Sequence, residues 1–443
     1  MTSPYTKAFS ALSTLPLLLA GIVATSPATV NAQSGSKTIT GQAAFTDYSQ
    51  EHPGVRRKIT VADLPQPREA ESVDNGPTVI PRPDGAWPVA PPGFRVQLYA
   101  QGFKEPRLMR TAPNGDIFLA DSHGDKIMVL RGVGPDGKAQ KISTFATDGL
   151  NLPFGIAFYP SGPNPKWVYV GNTDSVVRFP YKSGDLVATG KAEKIVPELP
   201  GFAQLRGGGH WTRDIVFTPD GKRMLVSVGS ASNVDDNSNE FHRADVLQFT
   251  PEGKFVKVYA SGIRNCVGEA INPTTGQLWC STNERDRLGN DLVPDYITSV
   301  KEDGFYGWPW YYIGGHQDPR HAGKHPELKD KVIVPDVLLQ PHFASLEMAF
   351  YEGKQFPSEY TGDAFAAEHG SWNRAKRSGY EVIRVPMRNG HATGEYEDFL
   401  TGFVTPDGKV WGRPVGVTVG NDGSLFVTDD GTKSVWHVTY TGK

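Results

Sequence analysis

Apolar and polar positions follow a pattern that recurs from Gly93 to the end of the chain. Each unit has an apolar run, a turn rich in Pro, Asn, Asp and Gly, a second apolar run ending in small or acidic residues, and a further alternating run. The first two runs of the units span Met109–Asp121, Ile156–Asn172, Ile215–Gly229, Ala270–Thr282, Met348–Glu368 and Val417–Asp429. Several short strands repeated about every fifty residues predict an all-β fold, a six-bladed β-propeller.

The ends of the repeating region predict how the ring closes. Phe94–Tyr99 is an alternating run that precedes the first unit, and Ser434–Val438 is the last such run of the chain. Pairing these two runs would complete the sixth blade and remove the exposed sheet edges. We therefore expect one propeller domain over residues 93–443.

The region before the propeller has two parts. Residues 1–32 have Lys7 near the start, the apolar run Leu15–Ala20 and small residues before Gln33, which is typical of a cleaved secretory signal peptide. Residues 33–92 are rich in Pro and charge and predict an extended arm lying along the domain. The predicted signal peptide indicates export, to the periplasm or the medium. Its apolar run is too short to span a bilayer, so no membrane span is expected.

The net charge and the cysteine content restrict which binding partners and electron acceptors are expected. The formal net charge is −3, so nothing in the composition attracts nucleic acid. Cys266 and Cys280 flank a predicted hairpin, and an oxidising compartment would allow either a disulfide or two free thiols. The sequence has no C-x-x-C-H motif for a c-type haem, so any redox chemistry would pass electrons to an external acceptor, a cytochrome or a quinone.

The propeller topology gathers polar residues on one face. Loops that enter inner strands and loops that leave second strands lie on the same side of the disc. This rule places there His210, Arg264, Asn265, Arg413, Arg107, His369, Trp372 and the loop Glu284-Arg285-Asp286. His, Arg, Asn and acidic residues around a central channel predict a ligand site.

The stretch Gly207-Gly208-Gly209-His210 presents one imidazole at the start of an apolar strand. Three glycines allow close approach of the backbone to a flat ligand, and a neutral His is a suitable general base near pH 7. The alternative interpretation is a hydrogen-bonded structural His beside a flexible loop.

Five motifs together resemble the glucose/sorbosone dehydrogenase family, whose members are pyrroloquinoline quinone (PQQ)-dependent sugar dehydrogenases. The motifs are Gly207–Asp214, Gly262–Gly268, Thr282–Asp286, Gly304–Pro309 and Glu368–Arg374. The resemblance implies a quinone lying over the propeller axis, a Ca²⁺ ion that grips it, and oxidation of a sugar by proton abstraction and hydride transfer. It implies His210 as the base and the carbonyls of Glu284, Arg285 and Asp286 as Ca²⁺ ligands.

The same resemblance assigns cofactor contacts. PQQ carries three carboxylates, which suit the planar guanidinium groups of Arg264 and Arg413, with Asn265 adding amide hydrogen bonds. Weaker candidates for the cofactor or the sugar are Arg107, His369, Trp372 and Arg374. The family's pocket Lys has no clear match in this sequence, and either Arg374 or Lys376 would take its place.

Two departures from the soluble glucose dehydrogenase branch limit what the sequence indicates about the substrate. Val267 and Val415 stand where that branch has Gln and Arg, so an aldose, a pyranose or a sorbosone-like sugar is expected rather than glucose specifically. Two other classes stay open: a Ca²⁺-dependent propeller hydrolase such as a lactonase, and a non-catalytic binding propeller.

Overall fold

A computed structural model describes residues 38–200 and 209–442. The predicted signal peptide, residues 1–32, lies outside the described residues, as do Gly207 and Gly208. No helix in the described ranges is long and apolar enough to cross a membrane.

Six antiparallel sheets of four main strands form the ring, which confirms the predicted six-bladed propeller. In order from the inner strand outward they are blade 1 (Pro106–Thr111, Ile117–Asp121, Lys126–Val133, Ala139–Ala146), blade 2 (Ile156–Tyr159, Trp167–Gly171, Val176–Pro180, Glu193–Val196), blade 3 (Ile215–Phe217, Met224–Val228, Asp245–Phe249, Phe255–Ser261), blade 4 (Cys266–Ile271, Leu278–Thr282, Pro294–Ser299, Val337–Pro341), blade 5 (Ser345–Phe350, Ala364–Glu368, Glu381–Val385, Tyr396–Leu400) and blade 6 (Pro414–Val419, Leu425–Asp429, Ser434–Tyr440, Phe94–Gln101).

Shorter elements decorate the ring. Gly304–Phe305 adds to blade 3, and two small hairpins are formed by Tyr311–Tyr312 with His316–Gln317 and by Met387–Arg388 with His391–Ala392. The helical turns are 3₁₀ helices at Gly41–Ala44, Tyr48–Gln50, Val61–Asp63, Glu69–Glu71, Ser122–Gly124, Ser238–Glu240, Pro319–His321, Pro326–Lys331 and Ser358–Tyr360.

Blade 6 is built from both ends of the propeller region. Phe94–Gln101 pairs antiparallel with Ser434–Tyr440, with Phe94 opposite Tyr440 and Gln101 opposite Ser434. The backbone N–H of Thr441 also donates to the Gly93 carbonyl at 2.8 Å. The predicted closure is therefore present, although the paired runs are longer than the sequence pattern indicated.

The described part of the arm lies along the outside of blades 4 to 6. Arg56–Lys58 pairs with the outer strand of blade 5, and Ile39–Thr40 adds beyond it. The Arg57 guanidinium is fully buried against the Asp398 carboxylate. A buried charge without its partner is costly, so this ion pair fixes the position of the arm on blade 5.

Apolar side chains fill the spaces between neighbouring blades. One cluster joins blades 1 and 2 through residues such as Phe118 and Val168, and another joins blades 5 and 6 through residues such as Phe365 and Trp436. Because side chains alternate along each strand, both faces of a blade contribute to this core. Cys266 and Cys280 form a disulfide between the first two strands of blade 4.

Candidate functional site

A cavity of about 280 Å³ lies where loops from several blades converge. Its lining residues are His210, Arg264, Asn283, Glu284, Asp286, Asp295, His342, Ala344, His369, Gly370, Trp372 and Arg413. The structure thus brings together seven of the residues singled out from the sequence. The other four, Arg107, Asn265, Arg285 and Arg374, are not among the lining residues.

His210 follows Gly209, which has a φ of +68°. Its Nδ1 lies 3.0 Å from the Ser230 carbonyl oxygen and 3.0 Å from the Ser230 hydroxyl oxygen. A carbonyl oxygen only accepts, so Nδ1 carries the hydrogen and Nε2 carries the lone pair. Nε2 has no hydrogen-bond partner among the described residues. This is the tautomer that a base acting through Nε2 requires.

The surroundings of His210 keep the ring neutral. Burial lowers the pKa of His210 well below its ordinary value, and the positive charge of Arg264 lowers it further. Both effects disfavour the imidazolium, because one removes water and the other adds a like charge. The imidazole is therefore able to accept a proton at neutral pH.

Two buried arginines hold the backbone around His210. Arg213 donates to the His210 carbonyl at 2.8 Å, and Arg243 donates at 3.0 Å to the Ser230 carbonyl, the same oxygen that accepts from the His210 ring. Both also donate to the Pro200 carbonyl. Burial, together with the charge of Arg243, lowers the pKa of Arg213 to about 9. Sequence reasoning missed this support.

Arg264 forms a further part of the cavity wall. Its guanidinium donates to the Glu284 carbonyl at 2.7 Å, to the Asn233 side-chain oxygen at 3.0 Å and to the Asp286 carboxylate at 3.2 Å. Its Nε donates to the Asn233 carbonyl at 3.2 Å. The side chain is held in place, and its charge faces the cavity beside His210.

A second His is built into a chain of charged groups. Arg413 donates to Nδ1 of His369 at 2.9 Å, so Nε2 carries the hydrogen and donates to Asp430, whose two oxygens lie at 3.0 Å. Arg107 donates to the same Asp430 carboxylate at 2.7 Å. Burial, and then the charge of Arg413, lowers the pKa of His369 to about 4. Arg107 thus lies behind the wall and supports it.

The predicted Ca²⁺ segment already has hydrogen-bond partners. The Glu284 carbonyl accepts from Arg264, and the Asp286 carbonyl accepts from Asn233 and Arg320, each at 3.0 Å. The Arg285 side chain is fully buried against Glu284 and Asp318, at 2.9 and 3.1 Å. A cation on these carbonyls would have to take the place of N–H donors.

Among the described residues, no group of three or more His, Cys, Asp or Glu side chains is arranged to hold a metal ion. One acidic oxygen near the segment lacks a partner: Oε1 of Glu284 is buried and makes no hydrogen bond in the part of the chain that the structure describes. Burial raises the pKa of the neighbouring Asp295 to about 7.

His342, another imidazole of the cavity, has a hydrogen-bond partner at each ring nitrogen. Nδ1 lies 3.2 Å from the Asp286 carboxylate, and Nε2 lies 3.1 Å from the Gly289 carbonyl. The His342 backbone has a φ of +64°, which is unfavourable for a side chain of this size. Its ring is therefore a fixed part of the wall.

The remaining candidates lie at the rim or outside it. Trp372 is 38% exposed at the mouth, and Arg287 lies over its ring at 5.1 Å. Arg374 points away from the cavity, donating to the Thr46 carbonyl at 2.7 Å and to Asp291 at 2.8 Å. Asn265 is buried, and its side-chain oxygen makes no hydrogen bond to any described residue.

Farther along the inner strands, a buried ion cluster occupies the centre of the ring. Arg110 of blade 1 contacts Asp214 at 2.9 Å and also contacts Glu347 of blade 5. Glu269 of blade 4 is fully buried beside them. This cluster ties four blades together at the axis.

The fold and the cavity define a class: a six-bladed propeller with a candidate site among its loops that is lined by two Arg, three His and three acidic side chains. The chain belongs to the TrAA12-like family, whose model matches residues 88–298 and 317–441. The resemblance to PQQ-dependent sugar dehydrogenases is thereby confirmed.

Two relatives illustrate the similarity. An uncharacterized protein of Borreliella burgdorferi is 28% identical over 79% of this chain and 90% of its own length. The PQQ-dependent pyranose dehydrogenase of Coprinopsis cinerea is 23% identical over 85% of this chain, but the match spans only 56% of that enzyme's length.

Solved structures share the fold. The calcium structure of a Trichoderma reesei carbohydrate-active enzyme of family AA12 matches with a TM-score of 0.67 at 20% identity, covering 83% of this chain and 98% of that one. The holo PQQ domain of the Coprinopsis cinerea pyranose dehydrogenase matches with a TM-score of 0.65 at 21% identity, covering 81% and 98%.

Proposed function

We propose that this protein is a PQQ-dependent sugar dehydrogenase that passes electrons to an external acceptor. The observation that carries the proposal is the state of His210: a neutral imidazole with its Nε2 lone pair unused by the described residues, in a cavity that also holds Arg264 and Arg413. Bound PQQ would supply the hydride acceptor.

The cavity fits an anionic cofactor. Arg264 and Arg413 offer two guanidinium groups to its carboxylates, and the acids Glu284, Asp286 and Asp295 line the cavity beside them. Arg413 is held by His369, which is held in turn by Asp430. We therefore assign Arg413 and Arg264 to cofactor binding, and His369, Asp430 and Arg107 to positioning Arg413.

His210 would take the proton of the reacting sugar hydroxyl at Nε2. The charge that develops on the ring is then stabilised by the Nδ1–H bond to the Ser230 carbonyl. The charge of Arg264 opposes this protonation in the free protein. An anionic cofactor beside Arg264 would offset that opposition and make His210 a stronger base.

Ca²⁺ remains part of the proposal, at the Glu284–Asp286 segment. Support comes from the calcium structure of the Trichoderma reesei relative and from the partnerless Glu284 carboxylate oxygen. The exported location and a cytochrome or quinone acceptor are likewise proposed. The pyranose dehydrogenase relative supports an aldose or pyranose as the substrate.

An absorption experiment tests the proposal. Cofactor-free protein is mixed with PQQ, with and without Ca²⁺, and sugar is added under anaerobic conditions. We expect the bound quinone spectrum to change to that of the quinol, and a redox dye, but not NAD, to sustain turnover. Sugar oxidation by chelated, cofactor-free protein would contradict the proposal.

A further inference from the structure

A second cavity, of about 560 Å³, lies beside the candidate active site and is not used by the proposed chemistry. Aromatic rings of Phe241, Phe305, Trp308 and Trp310 line it, and Asp245 is its buried acid. The volume is within the range of small-molecule sites. We call this cavity the aromatic cleft.

The four aromatic rings differ in how exposed they are. Trp308 is only 3% exposed, and its Nε1 donates to the Asn233 carbonyl at 2.9 Å, so it is a fixed wall. Trp310 and Phe305 are half-buried, with ring centroids 6.3 Å apart. Phe241 is 72% exposed, the largest exposure among the described large apolar residues. Phe241 stacks on the His242 ring at 3.9 Å, and the Trp310 ring lies 4.0 Å from that of His325, so each of these two rings has one covered side. The cleft presents the remaining aromatic surface.

Asp245, the first residue of the third strand of blade 3, is only 9% exposed. Its carboxyl group makes no hydrogen bond or ion pair with any described residue. Of the other acids around the cleft, Glu240 accepts from Ala231 and Ser232, Asp236 binds Lys324 at 2.8 Å, and the exposed Asp235 accepts from Asn237 at 3.4 Å. Asp245 therefore combines a largely buried position, no partner among the described residues and a place in the cavity lining, where a ligand can bind it.

We propose that the aromatic cleft is a saccharide-binding subsite, in which a neutral sugar ring stacks on the exposed aromatic faces and its hydroxyls bind the Asp245 carboxyl. Sugar rings have apolar C–H faces and hydroxyl edges, so they match a site with aromatic rings and hydrogen-bonding side chains on its walls. The ligand class rests on the proposed sugar dehydrogenase function.

Asp245 itself suits a neutral ligand better than an amine. Burial raises the pKa of Asp245 to about 8, so the group carries its proton at neutral pH. A carboxylic acid offers one donor and one acceptor to hydroxyls but no charge to an ammonium group. The nearby Arg243 does not compete for Asp245, because its guanidinium donates to the Pro200 and Ser230 carbonyls.

One residue separates the cleft from the active-site cavity. The Asn233 carbonyl accepts from Trp308, which lines the cleft, and from Arg264, which lines the cavity. A sugar in the cleft is therefore either the second unit of an oligosaccharide whose first unit occupies the cavity, or a separate molecule.

The test measures binding to the cofactor-free full chain by calorimetry and tryptophan fluorescence, with glucose, cellobiose and maltose as probes. Asp245→Leu should remove a binding event or weaken it about tenfold, the loss expected for a buried hydrogen-bonding pair. Asp245→Asn keeps a donor and an acceptor and should bind within about twofold of the parent protein. Trp310→Ala should also weaken binding, whereas Trp87→Ala, an exposed Trp on the arm, should not.

Several outcomes would overturn the subsite. Equal sugar binding by Asp245→Leu and the parent protein would do so, as would the absence of any sugar binding. Loss of binding in Asp245→Asn together with uptake of tetramethylammonium would indicate a cation site instead. Melting temperatures identify a variant that fails to fold, and Trp310→Ala then provides the second measurement.

Steady-state kinetics of the PQQ-loaded enzyme distinguish the two sources of the sugar. A raised KM for cellobiose but not for glucose in Asp245→Leu indicates an oligosaccharide that spans both cavities. Unchanged KM values with lost binding indicate a separate sugar. If neither sugar is oxidised by the parent enzyme, the proposed function fails, while the binding result still decides the subsite.

Discussion

His210 and His369 lie on opposite sides of one cavity and have different hydrogen-bond partners. Both are neutral, because burial and a neighbouring Arg lower the pKa of each. His369 uses both ring nitrogens, one toward Arg413 and one toward Asp430. His210 uses Nδ1 only, so Nε2 is left for a ligand. The partners of the ring, rather than its burial or pKa, distinguish a base from a positioning residue.

Replacing the two histidines in turn gives the largest expected effect. His210→Ala should lose about 10²–10⁴ in turnover per bound quinone, the usual contribution of a positioned general base, while PQQ still binds. The measurement is turnover normalised to bound cofactor. His369→Ala is the matched control and should mainly weaken PQQ binding through Arg413. Near-normal turnover in His210→Ala would place the base elsewhere.

Asp430 anchors the His369 side of the cavity. Asp430→Ala leaves the buried Arg107 and Arg413 without their anion, which should lower the free energy of unfolding by about 3–5 kcal/mol. Urea denaturation of the cofactor-free protein measures this loss. Glu71→Ala, at an exposed acid paired with Arg68, is the control and should change stability little. Equal stability of the two variants would mean that Asp430 is not needed to neutralise the cluster.

Acid should lower the free energy of unfolding through His369. Its pKa of about 4 lies below the ordinary value, so the unfolded chain takes up a proton first as the pH falls. The contribution of His369 to the free energy of unfolding is fully present above about pH 6.5 and declines by about 3 kcal/mol as the pH approaches 4. Stability curves of the parent protein and His369→Asn should therefore converge on acidification. Parallel curves would show that His369 does not carry this dependence.

On the His210 side, Arg264→Gln should change the pH profile of the reaction. Arg264→Gln removes the positive charge that lowers the pKa of His210, so the acid limb of kcat/KM should move to higher pH. Affinity for PQQ should fall as well, by roughly 2–5 kcal/mol. An unchanged acid limb would separate the measured ionisation from His210.

The fold was predictable because its signal is repeated. Six alternating patterns identify six blades even where single strands are misplaced, and the pairing of Phe94–Gln101 with the last strand follows from the need to close the sheet. The site was predictable only in part. Strand ends place His210, Arg264 and Arg413 on one face, but hydrogen-bond partners depend on side-chain directions that no spacing encodes.

The strand pattern of the sequence also indicates Asp430 as a site residue. It stands one residue after the second strand of blade 6, just as His369 stands one residue after the second strand of blade 5. The topological rule that selected His369 also selects Asp430. No comparable rule identifies Arg243, because its role depends on reaching carbonyls of residues 13 and 43 positions away.

The shared sixth blade sets the timing of assembly. About 330 residues of chain separate Gln101 from Ser434, so synthesis alone delays their pairing by roughly 20–70 s. During that interval both outer edges of the unfinished ring are open to other strands. The newly made chain is therefore an incomplete, open propeller for that time. A shortage of chaperones at that stage would lower the yield of folded protein without changing the stability of the folded state.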